Sequence, residues 1–339
     1  MARIFLYLFF LFLCASFSYA REYVRVVGSS TVFPFMSAIS EGFAKTYRVK
    51  TPIVESTGTS AGFKLFCTGV GDAHPDIVVS SRRINEVELA LCKVYSINSE
   101  DIMEIELGRD ALVVASSSGS GLDYEFSIRD IFEAISFYVP EGVRLVKNHN
   151  KRWGNIDDKK FYDSEIKIYG PTRNTGTFES VKKMILLSQC LSEPAFNLAY
   201  GPEKLRKICS VVRDDGVYVE VSNNENLMVQ KLARNPNAFG LLSYSFFIRN
   251  SDALTAHSVN GVRPTYESIM SGQYDFVRPV YLYVKLSHLG LVRGLRDLLN
   301  EVLSENALGT YGYLRAIGMV PLPNQELDAI REEVASLSS

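Results

Sequence analysis

The chain has 339 residues, a length that suits two or three domains and a sizeable buried core. With 47% hydrophobic and 22% charged residues it has a globular composition, which excludes a disordered chain, a collagen-like repeat and a coiled coil. A formal charge of −2 gives no general basic surface for nucleic acid and no acidic tail.

Met1 to Ala20 comes first: one basic residue, Arg3, an apolar run from Ile4 to Phe17, then Ser18-Tyr19-Ala20, which fits the small-x-small pattern of a signal-peptidase site. The run is short for a spanning helix, and no other stretch approaches ~20 apolar residues. Cleavage after Ala20 is expected, with an exported mature chain starting at Arg21. Its removal takes Arg3 and Cys14 and leaves 35 basic and 38 acidic residues, a charge of −3, and four cysteines. Lipoprotein anchoring through Cys14 is the weaker alternative, because bulky Leu13 is a poor residue before such a cleavage.

Four cysteines in an exported chain point to two disulfides. Of the three pairings, Cys67 with Cys92 and Cys190 with Cys209 is the local choice; four buried thiols are the alternative. No cysteine pair has zinc-site spacing, and His74, His149, His257 and His288 stand singly, so no metal and no cofactor is expected.

What recurs along the mature chain is a unit: a short β-branched run, a turn of Gly, Ser and Thr, then a helix-period segment. The first is Tyr23 to Val27, then Gly28-Ser29-Ser30-Thr31, then a helix opened by Pro34 with Phe35, Ile39, Phe43 and Tyr47 on one face. Next come Pro52 to Ser56, Thr57 to Gly62, and a short helix through Phe63, Leu65, Phe66 and Cys67. A third runs Ile77 to Val79, Ser80-Ser81-Arg82-Arg83, and a helix over Glu86 to Val94. The fourth is Ile166 to Tyr169, Gly170 to Gly176, then Thr177 to Leu187 with Phe178, Val181 and Ile185 on one face. Such alternation predicts an α/β architecture with mainly parallel sheets. The unbroken apolar runs Ala111 to Ala115 and Pro279 to Val284 are spaced to carry the chain out of one lobe and back, so that one lobe combines both chain ends and the other holds the middle.

A strand, a Gly/Ser/Thr turn and a helix start present N–H groups and hydroxyls at the positive end of a helix dipole, which is an anion site needing no excess of basic residues. Ser and Thr are also ordinary N-caps, so one turn means little. Four turns at the carboxyl ends of strands stand where ligands bind in open α/β sheets. Arg173 inside the fourth turn, and Arg82 and Arg83 after the third, add guanidinium forks that match an oxyanion. For Arg82 or Arg83 a surface salt bridge, for instance to Glu86, is the competing reading.

Gly58-Thr59-Ser60-Ala61-Gly62 satisfies G-x-S-x-G between a strand and a helix, so a serine hydrolase with Ser60 as nucleophile is the enzyme alternative. Its triad would need an acid and then a histidine downstream, for which His257 and His288 are available. The chain has no P-loop and no dinucleotide fingerprint.

Taken together, Val27 to Pro34, Glu55 to Gly62, Ser80-Ser81-Arg82 and Thr175-Gly176-Thr177 resemble the phosphate-binding proteins of bacterial phosphate ABC transporters. The resemblance extends through Asp214 to Glu220, Asn226 to Leu232 and Arg278 to Lys285, and ends at Gly312-Tyr313-Leu314 and Val320 to Pro323. It implies a two-lobed type II periplasmic binding protein fold, a Venus flytrap with two crossover hinge strands. The expected parts are a signal peptide (1–20), a first lobe from 21–109 and 278–339, and a second lobe from 110–277. It implies a non-enzymatic, periplasmic monomer that binds inorganic phosphate and serves membrane-embedded ABC permease subunits with their ATPase, with no nucleic acid partner. Another oxyanion, sulfate or molybdate, or a sensor role is the alternative within the same fold.

By position, the implied ligand set is Ser30, Thr31 and the N–H groups of Val32 and Phe33, then Thr59 and Ser60, Ser81 and Arg82, and finally Arg173, Thr175, Gly176 and Thr177. Two positions depart from the family. A family aspartate that accepts the proton of hydrogen phosphate is Ser81 here, which lacks the charge that repels sulfate. The family arginine precedes the fourth turn by four residues, whereas Arg173 precedes Thr175 by two.

Overall fold

The computed structural model describes residues 21–157, 164–173, 175–221 and 225–337; the leader expected at Met1–Ala20, with Cys14, lies outside the described residues. From Arg21 the chain forms β1 (Arg25–Gly28), α1 (Phe33–Thr46), β2 (Ile53–Ser56), α2 (Thr59–Cys67), β3 (Ile77–Ser80) and α3 (Glu86–Val94). Each helix follows its strand through one of the predicted turns. Pro34 sits in the first turn of α1, where its missing N–H leaves no bond unmade, and Phe35, Met36, Ile39 and Phe43 form the buried stripe. Helix α3 opens on a capping box in which Asn85 Oδ1 accepts from the Glu88 N–H, and Glu88 accepts from the Asn85 N–H.

A 16-residue strand, β4 (Ile102–Ser117), then leaves the first half of the molecule. Beyond it lie β5 (Ile168–Pro171), α4 (Gly176–Val181), β6 (Tyr218–Val221), α5 (Glu225–Arg234), β7 (Phe239–Ser243), β8 (Leu254–Ala256), and the returning strand β9 (Val277–Lys285). Helix α4 runs on through a π-helical stretch, Lys182–Leu187, into a last turn, Ser188–Leu191. The chain closes with α6 (Leu295–Val302), β10 (Val320–Pro321) and α7 (Asn324–Ser336).

The strands form a ten-stranded sheet in the order β2-β1-β3-β9-β4-β7-β5-β6, with β8 and β10 also on β4. Its two ends are parallel: β1 pairs with β2 and β3, and β5 with β6 and β7. Between them β9 and β4 run antiparallel from Lys285 opposite Ile102 to Val277 opposite Ala111. These are the two crossover strands, and the predicted runs 111–115 and 279–284 fall inside them. The predicted second crossover is met nearly whole, whereas the first sees only the distal half of β4. Residues Met103 to Leu107 alternate buried apolar side chains with Glu104 and Glu106, the signature of a strand with one open face.

Two cores flank the crossover. One joins Val26, Phe35, Ile39 and Phe43 near the N-terminus to Leu282, Leu298, Val302 and Leu327 from the C-terminal part. The other is built almost wholly from the middle of the chain, from Ala111 to Phe276. A smaller cluster under α2 contains Phe63, Phe66 and Tyr283. Both disulfides form as the local pairing, Cys67 with Cys92 and Cys190 with Cys209. Each ties down the far end of a helix whose first residues face the junction between the cores. Among the described residues no helix is long and apolar enough to cross a membrane.

Candidate functional site

Gly28 ends β1 with φ at +134°, a conformation that disfavours any side chain, and a Cβ there would meet the Val79 carbonyl oxygen at 2.1 Å. That contact lets the first and third turns lie side by side. The second turn joins them: Gly58 N–H donates to the Gly28 carbonyl at 2.7 Å, and Gly62 packs on Gly28 with no room for a methyl group. Three helix starts are thereby gathered at one edge of the first lobe.

Their polar groups are unevenly satisfied. The N–H groups of Val32 and Phe33, expected to face an anion, both donate to the Ser29 carbonyl at 3.1 Å. Ser29, which is fully buried, accepts from Thr31 N–H at 3.3 Å and reaches Ser81 Oγ at 3.4 Å. Thr31 Oγ1 and Thr59 Oγ1 are buried with no hydrogen-bond partner among the described residues. An unmatched buried hydroxyl costs ~1–3 kcal/mol, so each marks a point where a guest would be bonded.

Across the cleft, Thr175 caps α4: its Oγ1 accepts from Phe178 N–H at 3.1 Å and donates to the Thr172 carbonyl at 2.8 Å. Gly176 N–H donates to Ser30 Oγ of the first turn at 3.2 Å, so the two lobes touch here. A Cβ on Gly176 would lie 2.6 Å from Thr31 Oγ1, 3.1 Å from Ser29 Oγ and 3.6 Å from Ser81 Oγ. The first, third and fourth turns therefore converge on one point. From it opens a cleft of about 830 Å³, lined on one side by Ser30, Thr31 and Phe33 and on the other by Thr175, Thr177, Ser243 and Ser245.

The arginines stand differently. Arg82 grips Glu88 with both Nη atoms (2.8 and 2.6 Å) and donates to Ser60 Oγ at 3.1 Å. The Glu88 hydrogen bond raises its pKa above the ordinary guanidinium value. Arg83 pairs with Glu104 at 2.8 Å. Salt bridges thus form at both residues, with Glu88 and Glu104 in place of Glu86. Arg173 is 56% exposed and pairs with Glu220 at 2.9 Å. That partner arrives because β5 and β6 place Gly170 opposite Glu220. Sequence reasoning missed Ser29, although it lies in the first turn, and missed Ser243 and Ser245, which no local pattern marks.

The hydrolase constellation is not assembled. Ser60 accepts from Arg82, while both candidate histidines bond other groups. His257 Nδ1 accepts from Tyr124 N–H at 3.1 Å and its Nε2 faces Ser116 Oγ at 2.9 Å. His288 Nε2 accepts from Gly71 N–H at 2.9 Å, so its Nδ1 carries the proton donated to buried Asp76, 2.6 Å away. Arg21 meets the other oxygen of Asp76.

Two α/β lobes joined by paired crossover strands, with helix starts facing across a cleft, define the class of two-lobed solute-binding proteins. A PBP superfamily domain matches residues 16–306, and the chain belongs to that family. Among its relatives, Protein SphX of Synechococcus elongatus is 27% identical over 323 residues, covering 93% of this chain and 82% of the relative. The phosphate-binding protein PstS of Staphylococcus saprophyticus is 23% identical, covering 89% of this chain and 81% of the relative. In fold the chain is similar to the crystal structure of a possible phosphate-binding protein from Planctomyces limnophilus. That match has a TM-score of 0.65 at 22% identity and covers 94% of this chain and all of the other.

Proposed function

We propose that this chain is a non-enzymatic, monomeric binding protein that captures inorganic phosphate in the periplasm and delivers it to membrane-embedded ABC permease subunits with their ATPase. The lobes meet near residues 110 and 277, and the ligand lies between them. One observation carries the reading: hydroxyls of the first and third turns press against the side of Gly176 that bears no side chain, and Thr31 Oγ1 among them is buried and unmatched. Names of relatives that bind phosphate support the same ligand.

The proposed contacts are the hydroxyls of Ser30, Thr31, Thr59, Ser81 and Thr177 and the N–H groups at the starts of α2 and α4, Ser60 and Gly176 among them. Val32 and Phe33 shape the first turn. Arg82 and Arg173 act from the rim, each through an ion pair already made. Neutral donors give less per bond than charged ones, so affinity comes from their number and from preorganisation on lobe closure. Calorimetry of phosphate-stripped mature protein against phosphate, arsenate, sulfate and molybdate tests this. Phosphate is expected to bind, and heat from sulfate or molybdate alone would overturn the reading. Ser81 favours sulfate as the second reading, since a hydroxyl accepts or donates and has no charge to repel a full dianion.

A further inference from the structure

Asp110 on β4 and Arg278 on β9 are direct partners in the crossover ribbon, and the two residues are 0% and 1% exposed. Arg278 Nε and Nη2 both reach Asp110 Oδ2, at 3.1 and 2.6 Å. The remaining arm leaves the ribbon: Nη1 donates to Ser180 Oγ at 2.8 Å and lies 3.5 Å from the Gly176 carbonyl. Asp110 reaches the other way, its Oδ1 accepting from Ser245 N–H at 3.3 Å. Ser245 in turn lies 3.0 Å from Ser243 through their hydroxyls, and both line the cleft. One ion pair on the crossover strands therefore holds two second-lobe segments at the cleft.

A buried ion pair is a poor stabilising device, because desolvation of both charges offsets their attraction, and an apolar pair of the same size often serves stability as well or better. What an apolar pair cannot do is direct bonds to a chosen hydroxyl, carbonyl and N–H. We propose that Asp110 and Arg278 are positioning residues for the anion site: they fix the first turn of α4 and the 243–245 turn to the crossover ribbon, so that both turns travel with the hinge as the lobes close. This rests on the phosphate reading for its ligand but not for its geometry.

The variant Asp110→Leu with Arg278→Met replaces the pair by apolar side chains of similar length. Its melting temperature is expected within about 5 °C of the parent, while calorimetry shows phosphate binding at least tenfold weaker and amide exchange at Gly176 and Thr177 becomes faster. A folded double variant that binds phosphate within twofold of the parent, with unchanged exchange at those amides, overturns the proposal. Should the double variant not fold, Ser180→Ala and Arg278→Lys carry the same question: threefold or more weakening in protein still folded at the assay temperature is expected, and unchanged affinity in both overturns it. If the parent itself binds no phosphate, the functional reading fails separately. Exchange at Gly176 and Thr177 in the ligand-free double variant, or in Ser180→Ala, then decides the positioning role, and no acceleration overturns it.

Discussion

In the first lobe Thr31 Oγ1 and Thr59 Oγ1 are buried and unmatched, whereas in the second Thr175 Oγ1 both accepts from Phe178 and donates to Thr172. Strand, turn and helix recur on both sides, yet one wall leaves two threonine hydroxyls unmatched and the other closes its threonine on its own helix. A guest bonded to those two hydroxyls would recover the cost of leaving them unmatched. The closed side offers Gly176, Thr177 and backbone instead. On the proposed reading, a site divided in this way recognises its ligand when the two halves meet.

Putting a side chain where the halves meet breaks the comparison most severely. Gly176→Val places atoms against Thr31, Ser29 and Ser81, and phosphate affinity measured by calorimetry is expected to fall about a thousandfold, ~4 kcal/mol. The melting temperature should hardly change, because the residue sits at the first helical position rather than in a core.

The lobes are alike in their disulfides, which span 25 and 19 residues and each brace the distal end of a helix that follows one of the Gly/Ser/Thr turns. In the chain-entropy account each contributes roughly 3 kcal/mol to stability. Cys67→Ser with Cys92→Ser, and Cys190→Ser with Cys209→Ser, should each lower the denaturant midpoint while phosphate affinity at moderate temperature stays within about threefold.

Acid should distinguish them again. His257, fully buried among aromatic side chains of the second core, has its pKa pushed down to about 4 by burial. Between pH 4 and the ordinary histidine value near 6.5 the unfolded chain binds more protons than the folded one, so stability rises with pH through that window and is lost on acidification. Going from pH 7 to pH 5 should cost about 2 kcal/mol in urea melts, and His257→Gln should flatten that slope.

The smallest effect sharpens the contrast between the threonines. Thr31→Val should weaken phosphate about tenfold and leave the free protein equally or more stable, because an unmatched hydroxyl is removed. Thr175→Val should lower stability by ~0.5–2 kcal/mol through loss of the cap. Melting curves with and without phosphate separate the two patterns.

Much of this organisation was legible because it is local. Pro34 with Phe35, Ile39 and Phe43 marks α1, and Ile77 to Val79 reads as a buried strand. The proximal half of β4 was hidden because Glu104 and Glu106 interrupt its apolar residues, and only the open face of the ribbon explains them. The helix starting at Gly176 follows its 3.6 period through Phe178, Val181 and Ile185, and the π-helical stretch adds Leu186 to the buried face, with Cys190 buried beyond it. The partner of Arg82 was within reach, since a glutamate three residues after an N-cap folds back on it. That of Arg173 was not, because Glu220 lies 47 positions away and arrives by sheet register.

The charged residues lining the cleft are one of each sign, Arg249 and Glu41, and Arg82, Arg173 and Arg278 each already face a carboxylate: Glu88, Glu220 and Asp110. Seen from a Debye length away, such a mouth is nearly neutral, and added salt has little field to screen. Capture of a small anion would then proceed at a rate almost indifferent to ionic strength, with the attraction confined to the last few ångströms, where backbone dipoles and hydroxyls are aimed.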